Sequence, residues 1–276
     1  MWWRTGFHDP NHRPLSQPYS FAFLILTLLF AGSVLVPSPW RFYLWGLSLL
    51  LSLLMPLFIL TLGRKKPEVQ AEIDRTSSTS PAVVERFGLF IIIVLGEVIV
   101  GVVQGVARHH DLSWLVGGTA ALGMMIAIGI WWVYFDFVSH RSPIDKKAAI
   151  SSWWYLHLPM TMSIAAAGAA VLNVIEHSGK HLPIEVSWLL VGALAIALTS
   201  IALLMRTIQI PKKHLRIYRR GSLVTLFSGI FIVLLGLFDL SMLTLLTVMN
   251  LFMFATVLYG FKVWIKTFGA EEISLS

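Results

Sequence analysis

Apolar residues run along this chain in eight long blocks separated by short polar segments. The blocks are Tyr19–Val36, Phe42–Leu62, Phe87–Ala107, Trp114–Phe135, Trp153–Ile175, Val186–Met205, Ser222–Phe238 and Leu240–Phe261. They are continuous rather than alternating, and they are rich in Leu, Ala, Ile and Gly. About 20 apolar residues cross a hydrocarbon core as a helix. Inside lipid only helices and closed barrels satisfy the backbone, and runs without alternation argue against a barrel. The pattern predicts an all-α, polytopic transmembrane bundle of about eight spans. It is expected to form a single integral membrane domain over residues 1–276, with a polar linker at 63–81. The first block does not read as a signal peptide. Eighteen mostly polar or aromatic residues precede it, and Pro37 and Pro39 follow without a small-x-small site.

Composition agrees with the pattern. Only 13% of residues are charged and 57% are hydrophobic, whereas soluble domains carry about 25% charged residues. Mean hydropathy is +0.77. Without cysteine, neither a disulfide framework nor a thiolate metal site is available.

A net charge of +7 raises nucleic acid as a partner, but the placement of the basic residues explains the charge better. With a cytoplasmic N-terminus, 17 of the 21 Lys and Arg residues fall in inner segments and three, Arg41, Arg108 and Lys180, in outer loops. This positive-inside bias fits an even number of spans, cytoplasmic termini and a bacterial inner membrane. The densest run, Lys212, Lys213, Arg216, Arg219 and Arg220, is placed to meet anionic headgroups, at about 1 kcal/mol per basic residue. Trp40, Trp114, Trp153, Trp154 and Trp188 sit at predicted helix ends, where amphipathic rings prefer the interface. Ser80 and Pro81 suit an N-cap and a first helical position.

Candidate chemistry begins with Glu97, which sits at the midpoint of the third block. On a helix, Arg86, Gln104 and Arg108 fall within about 20° of its face. This polar stripe is expected to face protein or water. No Lys or Arg lies at Glu97's depth, and Arg86 is roughly 16 Å away along the axis. Glu97 must then be neutral, hydrogen-bonded to a hydroxyl or amide, or charged only while a cation is bound. Ser163, Asn250, Thr199 and Ser200 are the neutral partners near that depth. An acidic residue at a helix centre costs about 2.5–3.5 kcal/mol to insert. An interhelical hydrogen bond returns about 0.6–2 kcal/mol, so a purely structural acid is the weaker reading.

Other polar residues are less specific. His157 and Asp136 are expected about one turn inside the inner interface, where with Glu85 and Arg86 they form a titratable cluster or simply anchor helix ends. Pro159 adds a kink near His157. His109, His110, His177 and His181 fall in outer loops without a zinc spacing, so no metal or cofactor is assigned. The glycines of "GVVQG", Gly101 and Gly105, and the small run Ala165–Ala170 mark close helix packing. There is no phosphate loop, His-Glu-x-x-His helix or nucleophile elbow, so an enzyme has no motif to stand on.

The segment "ERFGLFIIIVLGE", followed in order by "WWVYFD" and "YLHLP", resembles the bacterial low-temperature-requirement A family of multi-pass membrane proteins. The resemblance covers Pro81 to Phe261 well and the first two helices loosely. It implies Glu85, Arg86, Gly88, Phe90 and Glu97 from the first motif, Tyr134 and Phe135 from the second, and Tyr155, His157 and Pro159 from the third. The family name records a growth phenotype under cold stress rather than a chemistry. Members commonly carry a His where this chain has Ala82, and begin with extra helices bearing a Glu-Leu-Phe-x-Asp-Leu-type motif that is absent here. This implies a short member whose pore, if it needs those helices, is completed by a homo-oligomer or another subunit. Two readings follow: a transporter or channel-like protein using Glu97 for a proton or small cation, or a non-transporting scaffold in which Glu97 is protonated and structural.

Overall fold

A computed structural model describes residues 2–63, 67, 69, 79–179, 181–238 and 240–264. Most of the expected linker, with Arg64, Lys65, Lys66 and Arg75, and also Lys180 and Lys266, lies outside them. Among the described residues the long elements are all helical, and eight helices are long and apolar enough to cross a membrane. The chain falls into two compact units, Met1–Ser78 and Thr79–Ser276.

The first unit holds a short helix, α1 (Trp2–His8), a 3-10 turn at Pro10–His12, and the long helices α2 (Arg13–Ser33) and α3 (Trp40–Gly63). Helix α2 starts six residues before its apolar block because Pro14 fits a first turn, where its missing N–H is not needed. The α2–α3 hairpin is pinned near its tip, where Trp45 Nε1 donates to Ser33 Oγ at 2.8 Å and that hydroxyl donates to the Phe30 carbonyl at 2.6 Å. Most of its Leu and Phe side chains, Leu24, Leu28, Leu50 and Phe58 among them, are exposed, as lipid-facing residues should be.

The second unit contains α4 (Pro81–Ala107), α5 (Trp114–Phe137), α6 (Lys147–Glu176), α7 (Ile184–Leu204), α8 (Leu215–Leu235) and α9 (Met242–Trp264). Sequential helices run up and down, but their packing order is not the chain order. Helix α4 packs on α6, then α7, α8, α9 and α5 follow, and α5 returns to α4. The centre of this ring is filled by side chains with no exposed surface, including Ile126, Ile130, Met160, Ile164, Leu194, Leu198 and Met253. Lipid tails are as apolar as these residues, so close packing and hydrogen bonds hold the ring rather than escape from solvent. Three polar links contribute: Ser228–Thr256 between α8 and α9 at 3.2 Å, Asn250 Nδ2 to the Leu122 carbonyl at 3.1 Å, and Ser222 Oγ to the Ala202 carbonyl at 2.7 Å.

At the basic end of this unit two loops are stitched together. Ile144 N–H donates to the Thr207 carbonyl and Gln209 N–H to the Ser142 carbonyl, both at 2.8 Å. The amide side chain of Gln209 adds a bond to the Pro143 carbonyl at 3.0 Å. Helix ends follow local chemistry in most places. Helix α4 begins at Pro81 behind Ser80, although the Ser80 hydroxyl makes no capping bond. Ser113 does cap α5, accepting from Val116 N–H. Helix α6 begins at Lys147, six residues ahead of its apolar block, and that shift moves Trp153 from the predicted interface into the core, where it is 1% exposed.

Candidate functional site

Helix α4 has two unlike faces. The packed face carries Val84, Gly88, Ile91, Leu95, Val98, Gly101, Val102 and Gly105, all buried. At the crossing with α6 a Cβ on Gly101 would stand 2.4 Å from the Gly168 carbonyl oxygen, and one on Gly168 would stand 2.9 Å from the Glu97 carbonyl oxygen. One turn on, a Cβ at Gly105 would meet Ile175 at 2.8 Å, whereas Gly88 has ordinary room beside Ser139 at 3.4 Å. Backbones touch here because neither helix has a side chain to keep them apart.

This crossing fixes Glu97. Its carbonyl is pressed against Gly168, so its side chain leaves α4 away from the packed contact and is exposed. Arg86, Phe90, Ile93, Val100 and Gln104 are exposed beside it. The polar stripe therefore lies on the outward face of α4, flanked by unpacked apolar residues. Glu97, Glu85 and Arg86 make no hydrogen bond or ion pair with any described residue. None of the neutral partners expected for Glu97 bonds to it among the described residues, and Asn250 Oδ1 is buried without a hydrogen-bond partner there. Ser163 Oγ donates to the Met160 carbonyl at 2.7 Å, and Asn250 Nδ2 donates to Leu122 and Leu246. Thr199 lies against Gly229 at the α7–α8 contact, and Ser200 is buried in α7. Arg108 leaves the stripe altogether, forming an ion pair with Glu176 of α6.

The residues expected to form an inner-mouth cluster lie in three separate places. Glu85 and Arg86 are exposed in the first turns of α4. Asp136 turns toward the α8–α9 side of α5, where its Oδ2 accepts from Trp132 Nε1 at 2.8 Å and its backbone carbonyl accepts from Arg141 at 2.9 Å. His157 is buried between α5 and α4. Its Nδ1 lies 2.7 Å from the Trp153 carbonyl and its Nε2 lies 3.1 Å from Tyr134 Oη. A carbonyl only accepts, so Nδ1 carries a proton, and in the neutral ring Nε2 accepts from the tyrosine hydroxyl. Phe87 and Trp153 close the pocket with ring centroids 4.6 and 4.4 Å from the imidazole. Trp153 Nε1 is buried there without a hydrogen-bond partner among the described residues.

Sequence reasoning named His157 but missed Phe87, Tyr134 and Trp153 as its surroundings. The signal was present in the three motifs, because "ERFGLF" supplies Phe87, "WWVYFD" supplies Tyr134 and "WWYLHLP" supplies both Trp153 and His157. Only their convergence was invisible. At the opposite end His109 Nε2 lies 2.8 Å from the Ile175 carbonyl and His177 Nδ1 lies 2.8 Å from the Asn173 carbonyl. Among the described residues no three His, Asp or Glu side chains form a group fit for a metal ion.

Among the described residues, eight helices long and apolar enough to cross a membrane define a multi-pass integral membrane protein. The family model described as "Bacterial low temperature requirement A protein (LtrA)" matches residues 1–260. The chain belongs to that family, and the match takes in α2 and α3 as well as the motif-bearing helices. No curated protein and no solved structure matches the chain.

Proposed function

We propose that the protein is a transporter or channel-like protein of the bacterial cytoplasmic membrane in which Glu97 binds or relays a proton or small cation. The observation that carries this reading is an exposed, unpartnered carboxylate at midspan, aligned with Gln104 and Arg86 on one face of α4. A carboxylate costs about 2.5–3.5 kcal/mol at that depth, and no described neighbour offsets the cost. A function at the site accounts for its presence. The route would follow the outer face of α4, walled by water and a further protein surface, rather than the filled centre of the ring. His157 and Asp136 lie off this face, so neither is assigned the access role, and no catalytic chemistry is assigned to the chain. The positive charge of the basic end supports a cytoplasmic location for it.

The scaffold reading draws on one observation, the side-chain-filled ring of the second unit. It requires Glu97 to hold helices together, and Glu97 bonds to none of the described ones. Proton and cation flux into dye-loaded liposomes, wild type beside Glu97→Gln, separates the two. The transport reading expects flux that disappears in the variant while the melting temperature stays put. Normal flux through Glu97→Gln, with unchanged pH dependence, would end it. No flux from either protein, with Glu97→Leu less stable than Glu97→Gln, would favour the scaffold.

A further inference from the structure

A cleft opens at the basic end of the second unit, between the loop that follows α7 and the first turns of α8. Met205, Leu215 and Leu223 give it apolar walls, Tyr218 lies within it, and Arg206 and Arg219 flank it. Leu215, Arg219 and Leu223 are spaced four residues apart and so share one face of α8. Arg206 is held in place, its Nε donating to Ser222 Oγ at 3.1 Å while that hydroxyl donates to the Ala202 carbonyl at 2.7 Å. The relay leaves the two terminal nitrogens of Arg206 without a partner among the described residues, and Arg219 likewise has none.

Neighbouring charges do not neutralise the pair. Arg141 is already engaged, with its guanidinium 4.8 Å from the centre of the Tyr218 ring and bonded to the Asp136 carbonyl. Asp136 sits beside that arginine, and Asp145 is exposed in the adjoining loop. Helix α8 has no acidic residue in its first turn, although Lys212, Lys213, Arg216, Arg219 and Arg220 crowd its N-terminal end. Cations at that end oppose the helix dipole, so helix stability does not explain them, and dipole and side chains together attract an anion. Toward the middle of the span the same face of α8 continues with Leu223 and Phe227, both exposed.

Guanidinium groups at the membrane surface above an apolar strip match one kind of molecule in both charge and order. We infer that this cleft binds an anionic phospholipid, its phosphate held between Arg206 and Arg219 and an acyl chain laid along Leu223 and Phe227. Basic pockets between helices on the cytoplasmic side suit such headgroups, and the planar fork of arginine suits a phosphate better than lysine does.

The test is a titration of the delipidated full-length protein in neutral detergent with phosphatidylglycerol, read by native mass spectrometry. Phosphatidylcholine and inorganic phosphate form the other arms. One phosphatidylglycerol per chain is expected to bind first, about tenfold or more ahead of phosphatidylcholine. The Arg206→Gln/Arg219→Gln variant should lose that preference, and Arg206→Lys/Arg219→Lys should weaken it, while Lys212→Gln/Lys213→Gln keeps it. If the double glutamine variant does not fold, Arg219→Gln alone, at an exposed position, takes its place. Equal binding of the two lipids would overturn the inference. So would loss of the first lipid in the lysine pair alone, or its complete displacement by inorganic phosphate, which would mark a site for free anions.

Discussion

His157 and Glu97 are both ionisable residues in the apolar helices of the second unit, and the fold treats them in opposite ways. His157 is 1% exposed and has both ring nitrogens engaged, one by the Trp153 carbonyl and one by Tyr134. Glu97 is exposed and has no described partner. A buried polar group that is fully hydrogen-bonded costs little and locks its neighbours together. One left open on an apolar surface has no such return. The difference separates a structural latch, where three helices converge, from a residue whose reason lies outside the described packing.

Substitutions can break or sharpen that contrast. The largest effect is expected at the glycine crossing that turns Glu97 outward. Gly101→Val would drive a side chain into the Gly168 carbonyl, separate α4 from α6, and cost about 3 kcal/mol or more. Thermal unfolding in detergent and the yield of monodisperse protein would read it. His157→Ala leaves a hole among aromatic rings and orphans the Tyr134 hydroxyl, at a cost of about 2–4 kcal/mol. A stability loss as small as a surface change would show that the latch is not one.

Smaller effects follow. Tyr134→Phe removes only the hydroxyl and should cost about 1 kcal/mol. If it proves neutral, the ring packing of Phe87 and Trp153 alone holds His157. Arg108→Ala breaks the exposed pair with Glu176 and should cost about 0–1 kcal/mol, shrinking further in high salt. Glu97→Gln is expected to change stability least, within about 0.5 kcal/mol, while abolishing flux. A loss comparable to that of Tyr134→Phe would place Glu97 in the same structural class as His157.

The stripe through Arg86, Glu97 and Gln104 was legible because helical angles depend only on spacing. Its direction was not. The GxxxG spacing of Gly101 and Gly105 flagged a packing face, but the partner glycine at Gly168, 67 positions after Gly101, fixed which way Glu97 points. Asp136 and His157 sit at similar depths, so depth alone grouped them. Tyr134 and Asp136 are two residues apart on α5, which puts them about 200° around the helix from each other. His157 follows the tyrosine, and Asp136 faces elsewhere.

What the amino-acid order decided by itself is the class of molecule. Each span has to be long and apolar enough on its own, since backbone groups in lipid must be satisfied within the helix. Eight spans and the strong charge asymmetry between their ends were therefore readable one segment at a time. Tertiary structure decided which face of each helix is packed, the ring order in which α4 meets α6 before α5, and which polar groups found partners. Those outcomes depend on close approaches between residues far apart in the chain, and no segment carries them alone.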